Sequence, residues 1–103
     1  MLGIENIKAL YKKGDVVLTH HFIQRISKRH ITLAHVKSAV VAGTIIEQYP
    51  SDYPHPSCLV LGNDCENKPL HIVIGVGGGY AWLITAYYPN NIKWKDDYKT
   101  RKA

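Results

Sequence analysis

What is scarce in these 103 residues narrows the field first. No apolar run approaches the ~20 residues that cross a bilayer, and the opening residues lack the pattern of a secretory signal. A cytoplasmic chain with no membrane partner is therefore expected. Cys58 and Cys65 are the only cysteines, too few for a disulfide scaffold, and both thiols are expected to be reduced. Low-complexity tracts are absent. The glycine run Gly77-Gly78-Gly79 joins two strand-like segments with no Lys-Ser or Lys-Thr after it, which excludes a phosphate-cradling P-loop. His55, Cys58, Cys65 and His71 have metal-binding chemistry, but the spacing H-x2-C-x6-C-x5-H fits no compact finger. No metal or cofactor is expected.

Acidic residues are also few: eight Asp and Glu face thirteen Lys and Arg, a net charge of +5. That balance favours anionic partners such as nucleic acid or an acidic protein. The hydrophobic fraction of 46% suits a single folded domain, 1–103, of which 90–103 reads as a basic C-terminal tail.

The chain is organised around Leu70–Val76 and Tyr80–Tyr88, two apolar, β-rich runs joined by the three glycines. They read as a hairpin at the centre of a sheet. If all three glycines form the loop, Val76 pairs with Tyr80, Ile74 with Trp82, Ile72 with Ile84 and His71 with Thr85. Leu70, Ile72, Ile74, Val76, Tyr80, Trp82, Ile84 and Ala86 then share one apolar face. The polar members of the other face, His71, Thr85 and Tyr87, gather away from the turn. A slip of one residue would scatter them.

Before the hairpin, Leu2, Ile4, Ile7, Leu10 and Tyr11 recur at helical spacing up to Gly14. Val16-Val17-Leu18 is a short link or edge strand. Thr19 caps a helix over about 20–28, and Thr32 caps another that Gly43 closes. Thr44–Tyr49 and Ser57–Gly62 are strands separated by a proline-rich loop. The expected fold is α+β, with N-terminal helices packed on a four-stranded antiparallel sheet. Beyond it, Trp94 is an anchor on the core.

On the second helix His21, Arg25 and Arg29 are four apart and form one stripe beside the apolar face. Together with the hairpin's polar face, these residue types suit metal-free RNA cleavage. An imidazole can take the ribose 2′-hydroxyl proton, arginines can stabilise the phosphorane, and a second imidazole or tyrosine can assist the leaving oxygen. The same residues also suit phosphate binding without chemistry.

The ordered motifs Thr19-His-His21-x3-Arg25-x3-Arg29, Ile31-Thr32 with Val36, Gly43-x-Ile45-Ile46-Glu47-x-Tyr49, Leu59-x-Leu61-Gly62, Lys68-Pro69-Leu70-His71-Ile72-Val73, Ile84-Thr85-x-Tyr87-x-Pro89 and Trp94 resemble a widespread bacterial family of small proteins. That family is similar to the RelE, MqsR and BrnT toxins of toxin-antitoxin pairs. The resemblance implies a RelE-like fold and an endoribonuclease acting on mRNA, free or at the ribosome. It also implies a cognate antitoxin with a zinc-finger module and a helix-turn-helix. The polar set it implies is His71, His21, Arg25, Thr85 and Tyr87 for catalysis, with Arg29 and Arg101; Arg29, Arg101 and Lys99 of the basic tail are expected to bind RNA. The alternative is a non-catalytic RNA- or protein-binding module of the same fold.

Overall fold

The computed structural model describes residues 1–103. Helices α1 (Ile4–Lys13), α2 (His20–Lys28) and α3 (Leu33–Val41) precede most of the sheet, whose strands are β1 (Val16–Leu18), β2 (Thr44–Tyr49), β3 (Ser57–Asn63), β4 (Pro69–Gly77) and β5 (Tyr80–Tyr87). Local chemistry accounts for the helix limits. Thr19 Oγ1 accepts from the Phe22 N–H and Thr32 Oγ1 from the His35 N–H, each satisfying an otherwise orphaned donor. Gly14, at φ 81°, turns the chain out of α1.

The α+β class holds, but the sheet has five strands and is mixed. Its order is β1-β5-β4-β3-β2, with β1 running parallel to β5. Val16-Val17-Leu18 is thus an edge strand, and the expected four-stranded antiparallel sheet is only the β2 to β5 portion.

The hairpin register also departs from expectation. Its loop is two residues, Gly78 and Gly79, both with positive φ, so Gly77 pairs with Tyr80 and Val76 with Ala81. Two-residue turns of this kind match the twist of the strands they join. The result is a one-residue slip that moves Tyr80 and Trp82 off the core face and puts Ala81 and Leu83 on it. A bulge between Val73 and Ile74 then adds a second slip, so His71 pairs with Tyr87 and Val73 with Thr85. Two slips restore the parity, and His71, Thr85 and Tyr87 share a face after all.

The three helices cover the opposite face. Phe22, Ile26, Val36, Ala39 and Val40 interlock there with Cys58, Val60, Leu70, Ile72, Ile74, Leu83 and Ala86. Each large side chain so buried contributes roughly 1.5–3 kcal/mol. Contact is closest at Gly62, where a Cβ would lie 1.9 Å from the Ala39 carbonyl oxygen, so only glycine lets α3 approach β3.

Candidate functional site

The face of the sheet away from the helices carries the polar cluster. A bulge between Ile45 and Glu47 aligns Glu47 with Leu59 and Tyr49 with Ser57, bringing both onto that face. The tail folds back over it. Trp94 bridges Arg101 through the backbone, Lys95 N–H donates to the Thr100 carbonyl and Lys102 N–H to that of Lys93. The tail is therefore tied down, and Trp94 is buried on this face instead of in the helix-side core.

His71 lies at the centre, fully buried. Its Nε2 is 2.6 Å from the Tyr98 carbonyl oxygen, which can only accept, so Nε2 carries the proton. Nδ1 is left bare, 3.3 Å from the Tyr87 hydroxyl, which donates to it. Trp94 packs edge-on against the imidazole at 4.6 Å between ring centroids. Burial lowers the His71 pKa, overriding the opposing pull of the Tyr98 carbonyl and of Glu47. The ring is thus a neutral base with a fixed tautomer.

Arg101 forms a two-pronged pair with Glu47, Nε to Oε2 at 2.7 Å and Nη2 to Oε1 at 3.0 Å, and its guanidinium lies 4.5 Å over the Trp94 ring. The Arg101 hydrogen bond is the main reason the Glu47 carboxyl falls below its usual range. Tyr49 donates to Glu47 Oε1 at 2.5 Å, and burial together with that anion pushes its pKa up to about 12. Tyr87, Trp94, Arg101, Lys93 and Asn90 line an open cleft of about 300 Å³ above this cluster. Tyr87 thus lines the cleft and, through its hydroxyl, bonds the buried imidazole.

Of the residues expected from sequence, His71, Tyr87 and Arg101 come together. Thr85 and Arg29 adjoin them at the sheet edge. Because β1 stops opposite Leu83, the Ala86 carbonyl has no strand partner on that side, and Arg29 Nη1 donates to it at 2.8 Å and to Thr85 Oγ1 at 3.1 Å. Arg25 and His21 lie one and two turns back on α2, exposed to solvent. Lys99 is exposed, its backbone N–H held by Asp97 Oδ1. Cys58 is buried on the helix side, its thiol pushed up to about 11 by burial, while His71 is on the opposite face, so the His55, Cys58, Cys65 and His71 set does not assemble.

Sequence reasoning did not single out Glu47 and Tyr49. Strict alternation from Ile45 would put both against the helices, and only the bulge reverses them. A second polar cluster was also missed. Asp64 Oδ1 accepts the N–H groups of Glu66 and Lys68, and Oδ2 accepts the Tyr88 hydroxyl at 2.6 Å. Burial works to raise this carboxyl, but the hydrogen bonds outweigh it and hold it low. His35, Asp64 and Glu66 are close enough together to share a cation. However, Asp64 Oδ1 already closes the β3–β4 turn, Oδ2 takes the Tyr88 hydroxyl and His35 Nδ1 accepts the Cys65 N–H, so the cluster is accounted for as a turn lock.

No helix is long and apolar enough to cross a membrane. Neither the curated proteins nor the solved structures include a match to this chain. A family described as a domain of unknown function (DUF4258) matches residues 18–88, which take in α2, α3, all of β2 to β5, and Glu47, His71, Thr85 and Tyr87. The chain belongs to the DUF4258 family.

Proposed function

We propose that this protein is a metal-independent endoribonuclease of the mRNA-cleaving toxin type, related to the RelE-like toxins and restrained by an antitoxin. The observation that carries the reading is the buried, tautomer-fixed His71, connected through the Tyr87 hydroxyl to a cleft rimmed by Arg101 and Lys93. They supply a base and cations for the transesterification of RNA.

With a phosphodiester in the cleft, the ribose 2′-oxygen attacks phosphorus and the bond to the 5′-oxygen breaks. The 2′-hydroxyl proton passes to the Tyr87 oxygen as the Tyr87 proton moves to His71 Nδ1. Arg101, its charge exposed at the cleft, and Lys93 stabilise the phosphorane. Water entering the open cleft protonates the departing 5′-oxygen, and the hydroxide left behind takes the proton back from His71 Nδ1 through Tyr87, restoring the neutral base. The products are a 2′,3′-cyclic phosphate and a 5′-hydroxyl. Arg29 and Thr85 border this centre, whereas His21, Arg25 and Lys99 are left for contacts with flanking phosphates or with the antitoxin.

A second reading is a non-catalytic RNA- or protein-binding module. It is favoured by the engagement of Arg101 with Glu47 and of Arg29 with Thr85, pairs that can serve stability alone. Chelator-treated protein incubated with a long mRNA, with and without translating ribosomes, separates the two when new 5′ ends are mapped. The nuclease reading expects cleavage that survives chelation and disappears in His71→Ala. Binding without any product would favour the module.

A further inference from the structure

The same open face carries a second, differently built groove at the turn end of the hairpin. Asp52, Tyr53, His55, Gly75, Trp82 and Ile84 border a space of about 230 Å³. Three of the six are flat rings. Trp82 is fixed in place, its indole N–H donating to the Gly77 carbonyl at 3.0 Å and its ring stacked on His55 at 5.4 Å. Tyr53 is 95% exposed, a large ring at the groove's lip. The floor contains Gly75, and nothing in the protein's own packing demands glycine there. A Cβ at 75 would meet only ordinary contacts, the nearest being Ile84 Cδ1 at 3.5 Å, and the φ angle is not one that side chains avoid. A glycine inside a central strand weakens it, and one known use is to let a ligand come close to the backbone.

We infer that this groove receives one nucleobase of the bound RNA strand. The inference rests on the ribonuclease reading for the identity of the ligand. The space is smaller than a typical drug-sized pocket and suits a single planar ring system. Aromatic walls bind any base by stacking. Asp52 excludes a phosphate here and favours a base edge that presents N–H donors. Its Oδ2 is occupied by the Ser57 hydroxyl, while Oδ1 is free to accept. Gly75 and His71 lie on the same face of β4, four residues and so ~13 Å apart, a span that a few linked nucleotides cover. The groove would therefore set which base lies at a fixed offset from the cleaved bond.

The test uses the full chain and a mixed-sequence decamer of 2′-O-methyl RNA, which cannot undergo the cleavage step. The two tryptophans give separate NMR reports, Trp82 on the groove and Trp94 on the phosphate cleft. On adding the decamer, the Trp82 indole N–H and the Gly75 amide should shift. Gly75→Leu, which fills the floor, should bind the decamer about tenfold to a hundredfold more weakly, the loss of one stacked base. Gly75→Ala, with a smaller intrusion, should show a smaller loss and covers the case in which the leucine variant does not fold. If Trp94 shifts while Trp82 and Gly75 do not, or if the folded variants keep full affinity, the base pocket is overturned and the nuclease reading stands. If Trp82 shifts but unmodified RNA is never cut, the pocket stands and the nuclease reading falls. If neither tryptophan responds to the decamer, both fail.

Discussion

The two faces of the sheet were built to different rules. On the helix side the contacts are apolar and dense, and Phe22, Val36, Val60, Ile72, Ile74 and Leu83 are fully buried. On the other side the only fully buried titratable side chain is an imidazole, surrounded by Tyr87, Trp94 and a backbone carbonyl. Burying apolar surface is favourable anywhere, whereas burying an imidazole is costly unless each ring nitrogen finds a partner. Here both do. The first face is the apolar core, and the second holds the polar groups on which the proposed function rests.

The largest loss of stability is expected on the helix side. Phe22→Ala should cost about 3–5 kcal/mol of folding stability in denaturant titration, because the vacated space lies between α2 and β5 with little freedom to collapse. A loss below ~1 kcal/mol would mean that the helix-side core is not the main source of stability.

A pH titration sharpens the contrast from the other side. Burial depresses the His71 pKa below that of the unfolded chain, so the unfolded state takes up its proton first as pH falls. Stability from neutral His71 is complete above the ordinary histidine range and is lost as the pH drops through it toward the lower folded value. Glu47 and Asp64, also depressed, extend the loss into the carboxylate range. Thermal melts should thus show falling Tm from about pH 6.5 downward, and His71→Ala should remove the first part of that fall. An unchanged profile in the variant would assign the slope to other groups.

A smaller effect is expected at the rim. Arg101→Ala removes a two-pronged pair whose arginine is half exposed, with 54% of its side-chain surface open, and should change stability by no more than about 1 kcal/mol. If the pair serves the phosphate, the same variant should nevertheless weaken RNA binding and make it less salt-dependent. Equal, small effects on both would favour a purely structural pair.

How far these faces could be read from sequence follows from the range of the interactions involved. The helices were legible because caps act within one turn: Thr19 and Thr32 each bond a backbone N–H three residues on. The strands from Thr44 to Tyr87 were legible from composition and turns. The parallel β1–β5 pair was not, since it joins three residues to a strand over sixty positions away and carries no periodicity of its own. Three consecutive glycines permit more than one loop length, so the hairpin register was open. The expected grouping of His71, Thr85 and Tyr87 survived only because the bulge at Val73/Ile74 compensated the shorter loop. The bulge at Ile45/Glu47 worked in the other direction and hid Glu47 and Tyr49. His21 and Arg25 shared a helical stripe with Arg29, but only Arg29, at the helix end, reaches the sheet edge.

In the proposed mechanism Tyr87 connects the buried base to the open cleft, and Tyr87→Phe isolates that link because the ring and its packing remain. Denaturant titration and cleavage of unmodified mRNA should be measured on the same preparation. Stability is expected to change by about 1 kcal/mol at most, the worth of one hydrogen bond. Cleavage should fall on the order of a hundredfold or more, the contribution of a positioned proton-transfer group. Cleavage at the wild-type rate in a folded Tyr87→Phe protein would contradict the relay.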